Sequence, residues 1–114
     1  MSTPLAAANR DALVENLHQT MQQLKENHAR TPYRPMITAK AGRSVGEALI
    51  MIRILSRWGE FTKILRAVGL SQPKASICRR LAKDWHIIEA GNFQEYSAEV
   101  AYQKLLQKTN LGYT

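Results

Sequence analysis

The chain has 114 residues, a length that fits one domain, and 45% are hydrophobic, enough for a small core and too many for a disordered segment. Net charge is +7. No run of 18 or more apolar residues is present, so no membrane-spanning helix is expected. The start, "MSTPLAAANRDALVENL", lacks a basic stretch followed by an apolar one, so a secretory signal is not expected. One cysteine, Cys78, cannot form an internal disulfide, which fits a reducing, cytoplasmic setting.

The charge is unevenly spread. Residues 30–83 hold 12 of the 16 Lys/Arg and two of the nine acids, Glu47 and Glu60. Both ends are mildly acidic. A basic centre between acidic ends points to a localised surface for phosphates, whereas a solubility surface mixes both signs.

Residues 10–28 read as an amphipathic helix. Leu13, Val14, Leu17, Met21 and Leu24 project within about 100° of one another. A stripe this narrow suits packing on the parent domain or pairing with a second copy. Homodimerisation is expected through it, with Tyr102, Leu105 and Leu106 of the last helix. Two heptads are too few for a self-sufficient coiled coil.

Residues 29–43 read as a basic connector. Pro32 and Pro35 oppose helix formation there. Arg30, Arg34 and Lys40, with Arg43, are candidate phosphate contacts of an arm; the alternative is a linker with scattered charge.

"SVGE" at 44–47 has the form of a capping box, with Ser44 at the cap. The helix expected from Val45 to about Trp58 is apolar on nearly all sides, which predicts burial on nearly all sides. Arg53 and Arg57 occupy its polar strip. A short helix over 60–68 places Phe61, Ile64, Leu65 and Val68 inward and Lys63 and Arg66 outward. These four cations are further candidate phosphate contacts.

Gly69 sits where a helix stop favours a left-handed residue, and Leu70 follows as its apolar anchor. Ser71 is a natural N-cap, with Pro73 tolerated in the first turn. In the helix over 72–85, Gln72, Ser76, Arg79, Arg80 and Lys83 occupy about 100° of arc. Ala75, Ile77, Cys78, Leu81, Ala82 and Trp85 fill the opposite side. Lys74 falls on the apolar side in the first turn. A solvated helix would alternate cations with acids, and here the only acid is Asp84.

"HIIEAGNFQEYS" reads as two short β-like runs around Gly91-Asn92, the signal of a hairpin. A final helix runs from about Ala98 to Lys108, with Ser97 as its cap.

The order of elements, with "GEFTKILRAVGLSQPKASICRRLAKDWHII", resembles the winged helix-turn-helix region of bacterial transcriptional regulators of the ArsR and MarR kind. The likeness covers roughly residues 45–96 and rests on Gly69, Leu70, Ser71, Gln72, Pro73, Ser76, Ile87 and Ile88. It implies a mainly α fold with a β-hairpin wing, one winged-helix domain over 1–114. Its parts are an N-terminal helix (10–28), a connector (29–43), a helix-turn-helix plus wing (44–96) and a C-terminal helix (97–109). It implies a DNA-binding regulator, expected to be a dimeric repressor reading the major groove of double-stranded DNA. By that resemblance Ser71, Gln72, Lys74 and Ser76 face DNA. Arg79, Arg80 and Lys83 join them from the cationic arc. The hairpin has no Lys or Arg, so affinity is expected from the helix and connector.

Enzyme function is not expected: no Gly-rich phosphate loop, HExxH or nucleophile elbow occurs. His18, His28, His86 and Cys78 are scattered, so no metal or cofactor is expected. The competing reading is a protein-interaction or RNA-binding module.

Overall fold

The computed structural model describes the backbone of residues 4–111 and the side chains of residues 9–109. Six helices make up its regular structure: α1 (Pro4–Arg30), α2 (Ala39–Leu55), α3 (Glu60–Val68), α4 (Gln72–Lys83), α5 (Trp85–Ala90) and α6 (Ala98–Leu111). They form a slab of 45 × 39 × 19 Å, about two helix diameters thick. Helix α2 is central, packed against α1, α4 and α6.

The mainly α expectation holds, but the winged architecture does not. No strand occurs among the described residues, and the only ladder pairing is an isolated bridge between Thr38 and Ser97. The segment expected to form the first wing strand is α5. Its apolar residues suit a helix because Trp85 and Ile88 are three apart and both buried. Gly91-Asn92 is then a helix stop. A type II′ turn needs positive φ at its first central residue, and Gly91 has φ −89°. Asn92 takes φ 58° instead. Asn92 N–H donates to the Glu89 carbonyl and Phe93 N–H to the Ile88 carbonyl, the paired closure of a Schellman motif.

The connector is also shorter than expected. Helix α1 runs on to Arg30 and α2 begins at Ala39, so only residues 31–38 are non-helical. Thr38 is the N-cap of α2, its Oγ1 accepting from Ala41 N at 3.2 Å. Ser44 is therefore mid-helix, and Glu47 pairs with Arg43 at 3.0 Å instead of reaching back to a cap. The backbone of Ala39 and Lys40 donates to the Tyr96 and Gln94 carbonyls, and Ala98 donates to Ile37. The segment before α6 is thus stitched to the start of α2.

Leu17 and Met21 of α1 and Leu105 of α6 are buried within one chain, in a core shared with Val45, Leu49, Ile52, Leu65 and Leu81. They present no surface to a second copy. Leu13, Val14, Leu24 and Tyr102 are partly buried against the same core, and Leu106 is half-buried. The stripe that could have served a dimer serves the tertiary fold. Arg10 fastens α1 to the start of α3 through Glu60, at 2.7 Å.

Helix α2 is not covered all round. Met51 and Ile54 are 47% and 69% exposed, and Trp58 in the following turn is fully so (102%). Its opposite side carries Gly42 and Gly46, which bring α4 close. A β-carbon on Gly46 would fall 2.0 Å from the Cys78 carbonyl oxygen.

Candidate functional site

The site grows from the junction of α3 and α4. Gly69 takes φ 75°, and its N–H donates to the Arg66 carbonyl. Leu70 N–H donates to the Leu65 carbonyl at 2.9 Å, and both leucines are buried. This closes α3 and turns the chain within three residues. Ser71 then caps α4, its Oγ accepting from Lys74 N at 3.2 Å. Ala75, Cys78 and Leu81 are buried, so Gln72, Ser76, Arg80 and Lys83 are left exposed and Arg79 half-exposed.

Two arginines from different helices meet beside this face. The guanidinium carbon of Arg53 lies 5.3 Å from the Phe61 ring centroid, and that of Arg79 lies 5.4 Å from it. Both are cation–π distances. With Thr62, Leu65, Gln72 and Ser76 these three residues line a hollow of ≈ 250 Å³. A second hollow of ≈ 570 Å³ adjoins it, sharing Arg53, Phe61 and Thr62 and adding Ser56, Arg57, Trp58 and Gly59. Gln72 Nε2 donates to Thr62 Oγ1 at 3.5 Å, joining α4 to α3. Burial, and then the charge of Arg53, hold the Arg79 guanidinium below its ordinary pKa.

Not every expected cation belongs here. Lys74 forms an ion pair with Glu99 of α6, away from the α4 outer face. Arg80 pairs with Asp84 one turn on, so part of the arc is neutralised. Arg43 pairs with Glu47 and lies 5.0 Å over the Trp85 ring. The side-chain nitrogens of Arg53, Arg57, Lys63, Arg66, Arg79 and Lys83 have no carboxylate within ion-pair distance among the described residues, although Glu60 accepts from the Arg57 backbone N–H at 2.6 Å.

Arg30 and Arg34 line a different hollow, of ≈ 740 Å³, with Asn27, His28, Thr31 and Glu95. Lys40 is in the first turn of α2 and Arg53 in its last. The helical rise between them is about 20 Å. The connector cations therefore form a second basic region, separate from the α3–α4 site.

Phe61, Thr62 and Trp58 belong to the site but carried no functional signal in the sequence. Phe61 fits the buried face of α3, which it does occupy, while also supporting two arginines. The spacing of Thr62 from Gln72 across the Gly69-Leu70-Ser71 turn is the one local hint that the two meet.

Among the described residues, no helix is long and apolar enough to cross a membrane. Nor do three or more His, Cys, Asp or Glu side chains come together as a metal group among them. No protein-family model, curated protein or solved structure matches the chain.

Proposed function

We propose that this chain binds double-stranded DNA, presenting the outer face of α4 to the major groove and regulating transcription there. The supporting observation is the concentration of unneutralised cations around one exposed helix. Arg79 and Lys83 on α4 lie with Arg53, Arg57, Lys63 and Arg66 on the preceding segments, and none of their side-chain nitrogens has a carboxylate within ion-pair distance among the described residues. A major groove admits one helix, and Gln72 and Ser76, early in α4, have the hydrogen-bonding groups for base edges. The cations suit phosphates, which position the helix without reading sequence.

A repressor reading two half-sites requires a second copy, and its contact must use a surface other than Leu17, Met21 and Leu105. One observation favours the competing reading, a protein-docking module: Met51 and Ile54, three apart on α2, are exposed, as is Trp58 in the turn that follows.

Fluorescence anisotropy on a labelled duplex tests the proposal. Contact with four to six phosphates lowers affinity by roughly 10²–10³ between about 50 and about 200 mM salt. Arg79→Ala with Arg80→Ala abolishes binding while the helical circular dichroism spectrum is retained. Salt-independent binding, or full binding by the double variant, removes the proposal.

A further inference from the structure

Two guanidiniums on one aromatic ring repel each other, and nothing beside them offsets this. The remaining groups lining their hollow are Phe61, Thr62, Leu65, Gln72 and Ser76, none of them acidic. The Nε–H of Arg79 is enclosed and has no acceptor. A buried donor left without a partner is costly, so native folds rarely leave one unless something else satisfies it. The hollow is also rich in donors. Thr62 Oγ1 accepts from Gln72, which leaves its own hydroxyl proton available. Ser76 adds a second hydroxyl. Phe61 and Leu65 form an apolar floor, which lowers the local dielectric and strengthens a charged contact above it. At ≈ 250 Å³ the space is several times the ~30 Å³ share of one water.

From this arrangement we infer that the Arg53–Phe61–Arg79 hollow is the seat of a single phosphate group, held by the two guanidinium forks and the Thr62 and Ser76 hydroxyls. Arg79 and Ser76 are then phosphate contacts, not base readers, which leaves Gln72 for a base edge. The ring holds both forks in place before the ligand arrives, and a planar fork matches phosphate oxygens in a way an ammonium does not. The inference rests on the proposed function for one source of that phosphate, the DNA backbone. A phosphate ester free in solution offers the same chemistry.

The test is a titration of the ¹⁵N-labelled full chain with inorganic phosphate at constant ionic strength, following the arginine Nε–H resonances. Saturable shifts at Arg79 and Arg53, absent with chloride, are expected. Arg79→Lys keeps the charge but removes the fork and weakens phosphate binding roughly tenfold; Arg53→Ala weakens it similarly. The wild-type titration decides the matter even where a variant fails to fold. An unmoved Arg79 signal, or a linear drift shared by Arg57 and Arg66, overturns the seat. Competition then separates the sources. Displacement of phosphate by a duplex identifies the nucleic-acid backbone, and displacement by a mononucleotide alone identifies a free phosphate ester; the seat stands in both. Duplex binding that leaves Arg79 unmoved removes the seat and keeps the DNA reading. Saturation by phosphate without duplex binding keeps the seat and removes the DNA reading.

Discussion

Gly46 of α2 lies against the backbone of Cys78 in α4 so closely that a β-carbon would meet the Cys78 carbonyl oxygen at 2.0 Å and its carbon at 2.5 Å. Backbone cannot step aside as a side chain can. Gly46→Ala therefore drives α4 off α2 and destabilises the protein by roughly 3 kcal/mol. Gly42→Ala is the control. Its β-carbon meets the flexible end of Leu81 at 3.1 Å, and the gain in helix propensity, about 1 kcal/mol, offsets much of that crowding. Urea unfolding of the two variants measures the contrast. Equal midpoints would show that α2 and α4 are not held at this distance.

The packing of α2 on α4 also buries the Cys78 thiol, whose Sγ would lie 3.7 Å from a β-carbon on Gly42. Burial pushes its pKa up to about 11 from an ordinary 9.0, against a smaller downward pull from Lys74. At pH 8 about one thiol in a thousand is then ionised in the folded protein, against about one in ten when unfolded. Labelling by a thiol reagent is expected to be slow until denaturant is added. The pH dependence follows in sign. Well below pH 9 both states hold the proton and stability is unaffected. Between 9 and 11 the unfolded chain releases it first, so stability falls by up to about 1.4 kcal/mol per pH unit. The difference in slope between wild type and Cys78→Ala isolates this contribution.

Lys74 and Lys83 belong to one helix but face different partners. Lys74 is paired with Glu99, whereas Lys83 is exposed and makes no ion pair among the described residues, its neighbour Asp84 being paired with Arg80. Lys83→Ala is expected to weaken duplex binding uniformly across sequences and to reduce the salt slope by about one. Lys74→Ala leaves binding within about twofold. Its effect on stability is also small, about 0–1 kcal/mol, because the pair is partly solvated. Anisotropy over a salt series reads both, and equal losses would place Lys74 in the interface.

The two tryptophans offer a cheaper check on the fold. Trp85 is 9% exposed and Trp58 is 102% exposed. Trp85→Ala is expected to cost about 3–5 kcal/mol, and Trp58→Ala to change stability by less than about 0.5 kcal/mol. Acrylamide quenching should reach Trp58 far more readily. A blue-shifted, protected Trp58 in the free protein would show that something covers the outer side of α2, including a second copy.

Much of α3 and α4 was legible along the chain. Gly69, Leu70 and Ser71 settle a helix stop and a cap within a few residues, through hydrogen bonds to backbone nearby. The two-sided pattern of Ala75, Cys78 and Leu81 against Gln72, Ser76 and Lys83 likewise needs only helical periodicity. Such signals are local, so the sequence alone determines them.

The rest was decided by tertiary structure. "HIIEAGN" has a pattern short enough for a strand or a helix, and Gly-Asn can turn a hairpin or end a helix. Continuity with α4 and the burial of Trp85 and Ile88 choose the helix. Ser44 and Thr38 both have the chemistry of a cap, and the backbone bonds from Ala39 and Lys40 to the segment before α6 choose Thr38. An all-apolar helix does not reveal which side its neighbours have surface enough to cover; here Gly42 and Gly46 admit α4, and Met51 and Ile54 stay outside. The pairing of Lys74 with Glu99, and of Arg53 with Arg79 over Phe61, joins residues far apart in the chain. Periodicity assigns a side chain to a face of its own helix, but only packing brings two helices' faces together. For that reason the basic helix could be read from the sequence, and the Arg53–Phe61–Arg79 hollow beside it could not.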